Sequence, residues 1–198
     1  MSTLGAMRVD EMLSALAAKT PTPGGGAAAG ATGALACALA EMVVAYSVNK
    51  KDLAAHRARL ESAAGVLRAW RAEFLSLADA DADAYGRLNA LRKAGGGGAE
   101  MAAAVEGALS VPRACLRSAR DLAALCLELA PITNTYLKSD LAIAGLLAAA
   151  AARSAEWNVR ANLGQVTDGP RRDVLAGGSA ALAAEAEGLS AQLAGALA

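Results

Sequence analysis

Aromatic residues make up only 3% of the 198-residue chain, with a single Phe, so a core of stacked rings is excluded. The β-branched and aromatic residues that favour strands are scarce, which weighs against a sheet. Positive charge is not in excess either: nineteen Lys and Arg balance nineteen Asp and Glu. Without a basic surplus the main source of affinity for a phosphate backbone is missing, so nucleic acid is not expected as a partner. Histidine occurs once, and the three cysteines, Cys37, Cys115 and Cys126, are odd in number and widely spaced, with no CxxC. That pattern excludes a disulfide framework and leaves a transition-metal site without ligands, so no metal is expected and a reducing compartment is favoured. The longest uncharged run, residues 20–40, is as long as a membrane span but contains Pro21, Pro23 and five glycines, which argues against one. Asp10 and Glu11 stand where a secretory signal would carry basic and then apolar residues, so a cytoplasmic location is expected.

What the chain has in abundance is small apolar side chains. Hydrophobic residues form 55% of it, and Ala alone fills more than a quarter of the positions. High hydropathy with no net charge is the reverse of the disordered composition. Ala is the best helix former, and the length suits one domain, so we expect a single all-α unit over residues 1–198, a bundle of about six helices.

Periodicity and breakers divide the bundle. A short first helix is predicted over residues 9–19, closed by the Pro- and Gly-rich stretch 20–26. A second, over residues 27–47, carries Gly30, Gly33, Ala34 and Ala38, which leave one side free of bulk, so it is read as central and buried. From Asp52 onward Leu53, Leu60, Leu67 and Phe74 recur every seven residues along a long helix reaching Leu91, ended by the four glycines 95–98. A fourth helix covers residues 99–129, kinked or restarted near Pro112 with Ser110 as a cap. A fifth starts at Leu141, behind Asp140, and reaches about Asn162. Asp168-Gly169-Pro170 reads as a turn, and a last amphipathic helix runs over residues 179–197.

Two loops are chemically unusual. Residues 20–26 deliver Pro23, Gly24, Gly25 and Gly26 onto the start of the central helix, where free N–H groups and the helix dipole favour an anion or a carbonyl oxygen; the same residues also make an ordinary turn. Asn134, Ser139 and Asp140 lie on a loop before the fifth helix and fit either a polar site or an N-cap. Asp79, Asp81 and Asp83 lack the Gly and Glu of a calcium loop and read as a solvated helical face. Lys50 and Lys51 close the central helix, where cations complement its dipole. Asn158 and Asn162, one turn apart, share a face and serve either to tie helices together or to read a polar ligand.

In these motifs the sequence resembles the cyclodeaminase/cyclohydrolase family of one-carbon folate metabolism. The similarity lies in Thr22-Pro23-Gly24-Gly25-Gly26 followed by the small-residue helix up to Lys50-Lys51, in Asp81-Ala82-Asp83-Ala84-Tyr85, in Val111-Pro112, in Asn134 with Ser139-Asp140, and in Asn158-Val159-Arg160-Ala161-Asn162. These anchors occur in family order from about Asp10 to Asn162. Two positions depart from the pattern: Tyr136 stands where the family has the second Asn of its loop, and Asn49 where it has a Gly.

The resemblance implies an all-α homodimer with a cleft lined by the glycine loop and the 134–140 loop, acting on a tetrahydrofolate derivative as substrate. A methenyl or formimino carbon on folate nitrogens is already electrophilic, so acid/base help without a metal suffices. The roles implied are acid/base work by Asp140 first and Asp81 second, hydrogen bonding to the pterin by Asn134 and Ser139, contact with the anionic glutamate tail by Lys50 and Lys51, and a polar edge held by the glycine-loop amides. The Tyr136 and Asn49 departures keep two other readings open: a relative that takes a non-folate substrate, and a non-catalytic helical dimer.

Overall fold

The computed structural model describes residues 3–198. Its helices are α1 (Val9–Ala17), α2 (Gly25–Val48), α3 (Arg57–Lys93), α4 (Gly98–Leu129), α5 (Lys138–Leu163) and α6 (Gly169–Leu197), with no strand among the described residues. Short 3-10 turns join some of them, notably Lys51–His56 and Thr135–Leu137. The expected all-α bundle of six helices is what forms.

Helices α2, α3, α4 and α5 close a ring in which each packs on the next, and α6 lies along α4 and α5 on the far side. Because Ala supplies most of the interior, the few bulky residues act as wedges. Leu60, Leu67 and Phe74 of the seven-residue stripe are fully buried. Helix α2 can lie directly on α3 because Gly30 and Gly33 face Phe74. A Cβ on Gly30 would come within 2.7 Å of the Phe74 carbonyl oxygen, and one on Gly33 would run into the Phe74 ring. Both α2 and the stretch Thr135–Leu163 are long and apolar enough to cross a membrane. Helix α2 nevertheless packs against α3, α4 and α5, as a core helix does.

Several sequence boundaries are corrected. Gly25 and Gly26 form the first turn of α2 and do not precede it. Helix α4 runs unbroken through Pro112, and Ser110 does not cap a restart; its Oγ donates to the Gly107 carbonyl. Asp168-Gly169-Pro170 is the start of α6: the Asp168 side chain accepts from the Arg171 N–H, and Pro170 sits in the first turn, where its missing N–H costs nothing. Helix α5 begins at Lys138, which places Asp140 inside its first turn and not at the N-cap.

Candidate active site

The register of α2 on α3 builds the site. The two helices run antiparallel, with Gly33 against Phe74, Gly30 against Ala78 and Gly26 against Asp81. The glycines at 26, 30 and 33 thus continue one stripe along α2, and its last member receives a carboxylate. A side chain on Gly26 would overlap the Asp81 carboxylate. Asp81 therefore occupies the space that any other residue at 26 would fill, beside the first turn of α2.

This end of α2 is rich in unspent polar groups. The N-cap, Gly24, has no side chain to bond the first N–H groups of the helix. Among the described residues no donor is hydrogen-bonded to the Asp81 carboxylate, and burial raises its pKa above the usual Asp range. The burial comes from an apolar floor beneath it, where Ala29, Leu77, Val111, Pro112, Cys115 and Ala155 leave only about 10 Å³ of space. Above the floor opens a cleft of about 170 Å³, bounded by Pro21, Thr22 and the three glycines on one side and by Asn158, Ala161 and Asn162 of α5 on the other. Tyr85, one turn beyond Asp81, stands at its rim. The Asn158 Oδ1 lies close enough to α2 to be 3.1 Å from a Cβ placed on Gly25. Pro23 turns instead to a neighbouring groove with Leu4 and Asp79.

Of the three aspartates read as one solvated face, Asp79 and Asp83, one turn apart, do share a face and a groove, and Asp81 turns away from them. Asp79 accepts a 2.9 Å hydrogen bond from the Leu4 N–H and ties down the N-terminal segment, Asp81 enters the cleft, and Asp83 is exposed. Residues two apart on a helix point about 200° apart, so this divergence is geometric. Thiol chemistry has no place here: burial pushes Cys37, Cys115 and Cys126 up to about 12, so all three stay protonated near neutrality.

The other predicted site residues gather at the opposite end of α2. Buried Ser47 donates to the Val43 carbonyl and accepts a 2.9 Å bond from the Asn134 N–H. The Asn134 Oδ1 accepts from the Tyr136 N–H at 3.2 Å and from Lys50 Nζ at 3.1 Å. Lys50 Nζ also lies 3.6 Å from Asp52 and 5.6 Å from the Tyr136 ring centre, over which it sits as a cation–π partner. Lys51 and Ser139 are exposed, and Asp140 is half-buried. From Gly26 to Lys50 is 24 residues, and at 1.5 Å per residue this separates the two groups by about 36 Å. Within one chain the glycine loop and the 134–140 loop therefore do not share a cleft; one lined by both, as the resemblance implies for a homodimer, would need two copies of the chain. Asn158 and Asn162, read from the sequence as a shared face that either ties helices together or reads a polar ligand, line the cleft at the glycine end.

Fold and site together define a class: an all-helical protein with an unpaired, half-buried carboxylate held beside an uncapped helix start. The sequence model of formiminotransferase-cyclodeaminase matches residues 8–181. A methenyltetrahydrofolate cyclohydrolase of Methylorubrum extorquens is 33% identical over 162 residues, covering 78% of each chain. The crystal structure of formiminotetrahydrofolate cyclodeaminase from Thermotoga maritima superposes with a TM-score of 0.92 at 30% identity, covering 98% of this chain and 96% of that one. The chain belongs to the formiminotransferase-cyclodeaminase family.

Proposed function

We propose that the protein is a one-carbon folate enzyme, a methenyltetrahydrofolate cyclohydrolase or a formiminotetrahydrofolate cyclodeaminase, reacting at the glycine end of α2. The relatives named for these two reactions support the activity. The observation that carries the location is the Asp81 carboxylate, without a hydrogen-bond partner among the described residues and beside the uncapped first turn of α2. In the cyclohydrolase reaction Asp81 takes a proton from water as the oxygen bonds to the cationic methenyl carbon, and returns it to the ring nitrogen as that C–N bond breaks; the remaining hydroxyl proton leaves to solvent as the formyl C=O forms. In the cyclodeaminase reaction the folate N10, the anilino nitrogen outside the pterin ring, bonds to the formimino carbon and gives up its proton. Asp81 passes a proton to the amine, which leaves as ammonia while the carbon becomes the methenyl bridge. A carboxyl that burial raises above the ordinary Asp pKa is a better proton acceptor than a free one and still able to give the proton back. The free N–H groups of α2 can hold an oxygen that gains charge on the way.

We place Asp81 ahead of Asp140 in this role, because Asp140 stands with the lysine end. That end joins the reaction through a second copy of the chain. Leu35, Leu39, Met42 and Tyr46 form a stripe along α2, and its end members, with Ile143, Leu146 and Trp157 of α5, are large apolar side chains left exposed. A two-fold homodimer packing this face antiparallel would set the glycine end of one copy against the lysine end of the other. The cleft volume supports this arrangement: about 170 Å³ falls below the roughly 300–1,000 Å³ usual for small-molecule sites, so it holds only part of a folate. Lys50, Lys51, Asn134 and Ser139 of the second copy would then meet the glutamate tail.

Parallel turnover with methenyl- and formimino-tetrahydrofolate tests the activity; conversion of either supports it, and conversion of neither refutes it. Sedimentation at micromolar concentration tests the dimer, which a stable folded monomer would contradict.

A further inference from the structure

Proline inside a helix removes the N–H that residue i−4 needs, and Pro112 does this to the carbonyl of Ala108 in the middle of α4. The orphaned carbonyl is not left bare. Asn162 of α5 donates to it through Nδ2 at 3.1 Å, and the same Nδ2 donates to the Asn158 carbonyl at 3.0 Å. Both amide hydrogens are thereby used. Turning the amide over would aim Oδ1 at two carbonyl oxygens, so the orientation is fixed by the network around it. What Asn162 has left is Oδ1, which has no hydrogen-bond donor among the described residues, and Asn162 and Ala108 both line the cleft beside Asp81.

We infer that Asn162 is a specificity-determining residue, locked by the Pro112-orphaned carbonyl of Ala108 into presenting only a hydrogen-bond acceptor to the ligand. The group that docks there is an N–H donor, and a ligand carbonyl is rejected. In a reduced pterin the 2-amino group and the ring N–H groups have this character and the 4-oxo group does not, so Asn162 selects which edge of the bicycle enters. The identification of the ligand as a pterin rests on the proposed folate activity; the lock itself rests only on Pro112, Asn162 and the carbonyls of Ala108 and Asn158. It also gives one cause for two motif fragments, Val111-Pro112 and the second Asn of Asn158-Val159-Arg160-Ala161-Asn162, that lie on different helices.

The test is a cycle of variants, read by KM for 5,10-methenyltetrahydrofolate and by melting temperature. Pro112→Ala returns a helical N–H to the Ala108 carbonyl and frees the Asn162 amide to rotate. We expect KM to rise about three- to tenfold while the melting temperature holds or increases, since Ala is far the better helix residue. Asn162→Ala should raise KM about tenfold or more and lower the melting temperature, because the Ala108 carbonyl loses its donor. In the Asn162→Ala background Pro112→Ala should recover melting temperature and leave KM where it was. If Asn162→Ala alone fails to fold, the double variant, which has its helical bond, carries the KM comparison. Pro112→Ala/Asn162→Asp keeps an acceptor with no carbonyl to satisfy, and should show a KM well below that of Pro112→Ala/Asn162→Ala. Three results would overturn the inference: no change in KM with Asn162→Ala, or with the double variant where that single variant does not fold; a Pro112→Ala effect on KM that is the same in both backgrounds; or a higher KM for Asp than for Ala at 162. An unaltered protein that neither binds nor converts the methenyl compound would remove the folate reading, while the melting temperatures of the cycle would still decide whether the lock exists.

Discussion

The two ends of α2 carry similar inventories of polar residues and differ in how those residues are used. At the lysine end Ser47, Asn134 and Lys50 bond to one another, so the Asn134 oxygen and the Ser47 hydroxyl are occupied before any ligand arrives. At the glycine end, among the described residues, Asp81 has no hydrogen-bond partner, the first turn of α2 has no side-chain cap, and Asn162 keeps an unused oxygen. One end is a junction that holds a loop, and the other is a set of groups waiting for something. Chemistry is expected where polar capacity is left over at the cost of folding, and at Asp81 the cost shows as a pKa raised by burial.

The largest effect that would sharpen this contrast is at Asp81. Asp81→Asn should lower kcat by about 10²-fold or more, the scale of a positioned acid/base group. It should also raise the melting temperature at neutral pH. A carboxyl with a raised folded pKa destabilises the fold once ionised; its favourable contribution is complete below the ordinary Asp pKa and is lost as pH rises through the folded value. The advantage of the Asn variant should therefore shrink as pH falls towards the ordinary Asp range. Calorimetry across pH measures it, and a variant less stable than the parent at neutral pH would break the account of burial.

Next comes Gly26→Ala, whose methyl overlaps the Asp81 carboxylate. Turnover should fall by about ten- to a hundredfold with helix content retained, by analogy with the cost of misplacing a reacting group. Gly65→Ala is the control, since a Cβ there meets nothing; stability should rise by about 0.5–1 kcal/mol and kcat should not change. Equal loss in both would show that the fold, and not the carboxylate, is sensitive. Smaller still is the effect expected at the lysine end. Lys51→Met, at an exposed side chain, should change only KM for polyglutamated substrate, by a few-fold, with a weaker salt dependence. A fall in kcat with mono- and polyglutamate alike would bring that end into the chemistry.

Much of this was legible in the sequence, and the limits are physical. Helix propensity gave the all-α class, and the Leu60, Leu67, Phe74 spacing marked a buried stripe correctly, because both are properties of a single element. The start of α2 was misplaced because glycine is penalised inside helices, while here Gly25 and Gly26 are kept in the first turn so that Asp81 and Asn158 can approach. That the glycine loop and the 134–140 loop cannot meet within one chain was already legible: a helix predicted over residues 27–47 sets its two ends about 30 Å apart. Asn162 was marked by its spacing from Asn158, but its link to Pro112 crosses from α5 to α4, and no spacing within one helix reveals a carbonyl orphaned on another.

The contrast between the two ends is tested most directly by the pH dependence of kcat/KM for the parent, Asp81→Asn and Asp140→Asn. The account predicts that the parent loses activity on the acid side with a midpoint shifted upward from that of an ordinary Asp, because Asp81 must be ionised to act as base and burial raises its pKa. Asp140→Asn should keep that limb and most of its kcat, within about tenfold, and Asp81→Asn should lose the limb along with the activity. A limb that persists in Asp81→Asn and disappears in Asp140→Asn would contradict the assignment and move the chemistry to the other end of α2.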